Sequence, residues 1–180
     1  QSRQKIIYFK KNYMHRILNK PVIIFTIITA IFLLLQSCKE THAGKKDDKT
    51  DLLKYGVPYS ITAPEDVKIS KIGQGDLTDV SVKNNKGYDL QIFMGSAQSS
   101  DINKIKENKR IIFTSNPFFS KIIEEYEDGY LFEKTNQEGD KSYDFIIIKV
   151  LGTNEINFQC GNSREFNEKE VKDIVKSIRG

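Results

Sequence analysis

Histidine is nearly absent from this 180-residue chain, and its two copies, His15 and His42, both precede the stretch able to form a globular core. A histidine general base, a catalytic triad and a histidine zinc site are thereby excluded from residues 52–180. Gly73-Gln74-Gly75-Asp76 begins like a glycine-rich phosphate loop, but it has no third glycine and no lysine or serine at the required distance, so it reads as a turn. Acid is missing from the start of the chain, with no Asp or Glu before Glu40. Six of the 28 Lys and Arg residues lie before Cys38, which leaves 22 against 24 acids and a net charge of −2 for the remainder. The overall basicity therefore belongs to the leading segment. Past it there is no basic stripe for nucleic acid, since Lys104, Lys106, Lys109 and Arg110 are interleaved with Asp101 and Glu107. No catalytic residue, metal site or cofactor is expected.

What is present near the start is an apolar run from Pro21 to Cys38, uncharged from Val22 to Leu35 and preceded by Lys10, Lys11, Arg16 and Lys20. A positive region followed by a hydrophobic one is the pattern of an export signal. A spanning helix needs about 20 apolar residues. This run is shorter, with Pro21 at its entrance and Gln36 at its exit, and it suits transient insertion better than permanent spanning. Met14 opens a complete signal peptide by itself and is expected to be the true start, with residues 1–13 left out of fold reasoning.

Leu35-Gln36-Ser37-Cys38 resembles the lipobox of bacterial lipoproteins. The resemblance implies that the Cys38 sulfur is joined to diacylglycerol, that a signal peptidase cuts in front of it, and that the new amino terminus is acylated. Two or three acyl chains, at about 0.8 kcal/mol per buried CH₂, would then replace the apolar run as the anchor. The expected location is the bacterial envelope, with the outer membrane favoured. Rival readings are an uncleaved signal anchor and ordinary secretion with a free Cys38.

Residues 38–51 read as the lipidated cysteine and a tether. Lys39 to Asp51 is almost wholly polar and cannot bury enough surface to offset its ordering entropy. Lys39-Glu40 and Asp47-Asp48 loosely fit a lipoprotein sorting signal, and they fit a solvated spacer as well. Residues 52–180 have the length of one ordinary domain.

Within that domain Val57, Tyr59 and Ile61 alternate as in a strand and lead to the Pro64-Glu65-Asp66 turn, after which Val67 and Ile69 resume. Leu77 to Val82 and Tyr88 to Met94 form a strand pair joined by Asn84-Asn85-Lys86-Gly87. A helix is expected from Asp101 to near Arg110, capped by Ser99 or Ser100. Ser120 to Tyr126 and Tyr130 to Lys134 flank an Asp128-Gly129 hairpin. Tyr143 to Leu151 contains Phe145-Ile-Ile-Ile148, apolar on both faces as in a central strand. Gly152 to Asn154 turns into Glu155 to Cys160. Asn167 and Glu170 make a capping box for a helix carrying Val171, Ile174, Val175 and Ile178.

Short links between strands favour antiparallel pairing. The fold class is α+β, a largely antiparallel sheet of about six strands packed with two helices. This element order is similar to the PsbP-like domain, a resemblance that carries over no functional residue.

Glu124, Glu125, Glu127 and Asp128 read as a solvated hairpin edge, because alternation sends Glu124 and Glu125 to opposite faces. Cys160, without a partner once Cys38 is lipidated, reads as a buried, inert thiol at a strand end. Phe113, Phe118, Phe119, Tyr126, Tyr130 and Phe132 read as sheet packing, or as a binding surface if exposed together. The functional expectation is a non-catalytic lipoprotein domain that binds a protein, glycan or small ligand. The alternative is an envelope hydrolase using only carboxylates, which would need two acids facing one cleft about 5–10 Å apart.

Overall fold

A computed structural model describes residues 49–73 and 77–180. Leu35, Gln36, Ser37 and Cys38 lie outside the described residues, as does most of the expected tether.

The elements are β1 (Thr50–Asp51), β2 (Ser60–Ile61), β3 (Lys68–Lys71), β4 (Thr78–Lys83), β5 (Asp89–Ser96), α1 (Ile102–Thr114), β6 (Phe119–Tyr126), β7 (Gly129–Thr135), β8 (Lys141–Leu151), β9 (Asn154–Cys160) and α2 (Glu168–Arg179). The class is α+β with two helices, as expected. The main sheet has seven strands in the order β3-β4-β5-β9-β8-β7-β6, every neighbouring pair antiparallel, and β1 and β2 form a separate ribbon. Two meanders make it. After β5 the chain crosses through α1 to the far edge, and β6 to β9 return until β9 lies against β5, with Ile92 opposite Phe158.

Several chain reversals gather at one end of the sheet, the upper end. There β3 finishes, β4 starts, β5 finishes, the β6–β7 turn closes, and β8 passes into β9. Antiparallel order brings these points together.

α2 forms because Asn167 and Glu170 satisfy its first amides reciprocally, at 3.0 Å in both directions. Its stripe of Val171, Ile174, Val175 and Ile178 is fully buried against Val80, Ile92, Phe145, Ile147 and Phe158. Each such side chain contributes roughly 1.5–3 kcal/mol. α1 covers the opposite face, with Phe113 packed on Phe119, Tyr130 and Phe132.

The boundaries of α1 differ from the expected ones. Asp101 is its cap, not its first residue, because its carboxylate accepts from the amides of Asn103 at 2.9 Å and Lys104 at 3.4 Å. The helix runs past Arg110 to Thr114. The aromatic contacts of Phe113 hold the last turn, and Pro117 disfavours helical backbone at the residue before it.

The expected strand through Val57, Tyr59 and Ile61 shrinks to Ser60–Ile61. Pro58 has no amide to donate to a ladder. The preceding chain instead makes a 3₁₀ turn, Leu53–Tyr55, closed by Gly56 at φ +91°. β1 takes Thr50 and Asp51 from the stretch read as tether.

Candidate functional site

A cleft of about 460 Å³ opens between α1 and the part of the sheet made by β5 and β9. Phe93 and Asn157, cross-strand partners, contribute to its floor. Ile105, Lys109 and Ile112 line the helix side, spaced so that one helical face presents all three. Leu77 makes the other lip and lies over Gly95, where an added Cβ would sit 3.0 Å from its Cδ2. Leu77 is 68% exposed and Ile112 is 65% exposed.

Inside the cleft Glu155 pairs with Lys109 at 2.9 Å. The Asn157 amide donates to the same carboxylate at 2.8 Å. A carboxylate only accepts, so Asn157 must turn its nitrogen to Glu155, which leaves its own buried oxygen without a partner. Among the described residues Glu155 is the one carboxylate in the lining, and it is already engaged twice. The cleft can hold a ligand by apolar contact at its lips and by hydrogen bonds to the amides and cations between them.

A second hollow, of about 480 Å³, lies at the lower end. Lys134 and Asp144 pair there at 3.0 Å. The Asp144 carboxylate accepts from the backbone amides of Phe145 at 2.8 Å and Cys160 at 3.2 Å, at the point where β9 leaves β8. Cys160 is buried, as expected. Burial and then the Asp144 charge push its thiol far above the ordinary range, so it stays protonated.

The acidic hairpin divides as the alternation requires. Glu124 meets Lys172 at 2.6 Å and the Tyr126 hydroxyl at 2.8 Å, whereas Glu125 meets Lys106 at 2.8 Å on the other side. Lys172, then Tyr126, holds the Glu124 carboxyl below its usual 4.5, and Lys106 does the same for Glu125.

Asp128 departs from the expected solvated edge, being 6% exposed. An added Cβ on Gly129 would fall 1.9 Å from the Ile146 carbonyl oxygen, so the turn lies hard against β8 and carries Asp128 inward. There it meets Lys149 at 2.7 Å and Arg179 at 3.5 Å. The second contact lacks hydrogen-bond geometry and acts through charge alone.

Of the six aromatic residues, Phe113, Phe119, Tyr130 and Phe132 form one packed group. Tyr126 lies on the opposite face beneath Arg179, and Phe118 is exposed. They are packing elements more than a common surface. Gln74, Gly75 and Asp76 of the expected glycine turn are outside the described residues.

Lys109, Glu155 and Asn157 escaped the sequence reading. Glu155, Asn157 and Gln159 alternate with Ile156, Phe158 and Cys160, so a polar face on β9 was visible. The central place of β9, which turns that face into a cleft floor, was not. Among the described residues no group of His, Cys, Asp or Glu is placed to hold a metal ion, and no helix is long and apolar enough to cross a membrane. Comparison with protein-family models, with curated proteins and with solved structures finds no match to this chain.

Proposed function

We propose that this chain is a lipoprotein of the bacterial envelope, held by acyl chains on Cys38 at the outer membrane, whose domain is a non-catalytic binding or accessory module using the α1–sheet cleft. The export pattern and Leu35-Gln36-Ser37-Cys38 support the anchor. The observation that carries the binding role is the cleft itself, with exposed Leu77 and Ile112 as lips and Glu155 neutralised by Lys109. Its volume is in the range of small-ligand pockets, roughly 300–1,000 Å³. A small ligand, or a short stretch of glycan or protein, fits it. The hydrolase alternative asks for two free carboxylates across one cleft, and among the described residues Glu155 is the acid in this lining, already paired with Lys109.

Labelled palmitate tests the anchor: incorporation is expected in the full chain and lost in Cys38→Ala, and equal labelling of the two would remove the anchor. Co-purification from membranes tests the cleft. A molecule recovered with the wild-type protein and lost with Ile112→Asp supports it, whereas equal recovery places binding elsewhere.

A further inference from the structure

We infer that the hollow at the lower end of the sheet binds a neutral saccharide, at a site separate from the α1–sheet cleft and independent of the reading of Cys38. All of its lining falls between Phe118 and Phe166, inside the described residues. Its volume of about 480 Å³ is in the range of small-ligand pockets, roughly 300–1,000 Å³.

Strand register builds the polar part of the hollow. Lys134 on β7 stands opposite Ser142 on β8, and Asp144 follows two residues later on the same face. The Phe118 carbonyl accepts from the Thr135 amide at 2.8 Å, which sets the exposed Phe118 beside the end of β7.

Ser142 is the residue that points to a ligand. It is 8% exposed, yet its hydroxyl has no hydrogen-bond partner among the described residues. The groups around it are engaged with one another, Lys134 with Asp144 at 3.0 Å and Lys141 with Glu133 at 3.4 Å. Among the described residues the unpartnered side-chain atoms that are sealed off from solvent belong to Asp128 and Asn157. The Ser142 hydroxyl is not one of them, so it opens into the hollow that Ser142 lines. A hydroxyl both donates and accepts, and another hydroxyl matches it in both roles.

Charge decides the class of ligand. The lining carries two cations, Lys134 and Arg164, and two acids, Asp144 and Glu165, for a net of zero. Lys134 is paired with Asp144, and Arg164 meets Glu170 at 3.1 Å and donates to the Gly87 carbonyl. A phosphate or carboxylate would therefore compete with acids already in place, and the exposed Glu165 opposes it further. A single exposed carboxylate in water holds a cation only weakly.

What the hollow does offer is a set of adjoining donors and acceptors. Asp144 accepts from the amides of Phe145 and Cys160 and from Lys134, three of about four places on a carboxylate, and the Lys134 ammonium keeps protons beyond the one it gives Asp144. Neighbouring hydroxyls of a pyranose match that pair, one accepting from Lys134 while the next donates to Asp144, with Ser142 beside them. The ring of Phe118 supplies an electron-rich face for the C–H groups of the sugar.

The full-length chain, in micelles of a detergent without a sugar headgroup, is titrated calorimetrically with maltotriose, cellotriose, mannotriose and chitotriose, and with inorganic phosphate and glycine as charged comparators. At least one trisaccharide should bind saturably with a millimolar dissociation constant, and neither comparator should. Ser142→Ala and Phe118→Ala should each raise that constant roughly fivefold. Phe118 is exposed and Ser142 loses a single oxygen, so both variants should fold, as far-UV circular dichroism will check. Saturable binding by none of the four trisaccharides overturns the inference, as does unchanged affinity in either folded variant. Phosphate or glycine binding that Ser142→Ala weakens, without sugar binding, overturns it in favour of a charged ligand.

Discussion

Phe113 on α1 and Phe132 on β7 lie face to face, with ring centroids 4.4 Å apart and planes inclined by 4°. Phe119 and Tyr130 pack around the pair and pin the lower part of the helix to the sheet. The upper part is held by polar contacts, with Lys106 donating to the Tyr126 carbonyl at 2.7 Å and Lys109 paired with Glu155. One wall of the cleft therefore depends on an aromatic cluster outside the cleft.

Truncation of Phe113 should consequently act on stability and on the cleft together. Phe113→Ala is expected to lower unfolding free energy by about 3 kcal/mol in urea titration, and Phe113→Leu by less than half of that. Protection of the α1 amides from hydrogen exchange should fall in the alanine variant. A loss below about 1 kcal/mol would mean that the helix is held mainly by its polar contacts.

Asp128 clamps the β6–β7 turn to β8 and to the end of α2 through Lys149 and Arg179. Those two side chains are 28% and 38% exposed and can turn to water if the carboxylate is removed. The loss should thus stay below the 3–5 kcal/mol of a fully buried pair. Asp128→Asn is expected to cost about 1–2 kcal/mol. A double-mutant cycle with Lys149→Met should return a coupling of the same sign, and zero coupling would disprove the clamp.

The Glu124–Lys172 pair sets an acid dependence. Lys172 and Tyr126 hold the folded Glu124 carboxyl below its usual 4.5, so the folded protein binds that proton less tightly than the unfolded chain does. The stabilisation is complete above the unfolded value and disappears as pH falls through the folded one. Glu125 and Glu170 are lowered too, by Lys106 and Arg164 first, and add in the same direction. Stability measured from about pH 7 to about pH 3 should decline at the acid end, and the gap between wild type and Glu124→Gln should close there. A gap that persists unchanged would refute the pair's contribution.

Cys160 should be chemically silent in the folded protein. It is 3% exposed, with its thiol kept protonated by burial and by Asp144. In a Cys38→Ala chain it is the sole thiol. Iodoacetamide at mildly alkaline pH should leave it unmodified under native conditions and alkylate it fully in urea. Rapid native alkylation would show that the lower end opens.

The chain's own order of residues was enough for features closed within a few positions. The Asn167–Glu170 box, the Val171 to Ile178 stripe, the Asn84 to Gly87 and Asp128-Gly129 turns and the two-sided apolar run of β8 are each decided by neighbours along the backbone. The opposite facing of Glu124 and Glu125 follows from alternation for the same reason. The alternation of Val57, Tyr59 and Ile61 points to a longer strand than the Ser60–Ile61 that forms, because that pattern does not register the missing amide of Pro58. Only tertiary structure decided that β9 inserts between β5 and β8, that α1 lies beside it, and that Lys109, Glu155 and Asn157 meet. Those contacts join residues far apart in the chain, and which of them form depends on how both sheet faces are buried at once, a condition no short window contains. The burial of Asp128 belongs with them, since it follows from how closely Gly129 lets one strand approach another.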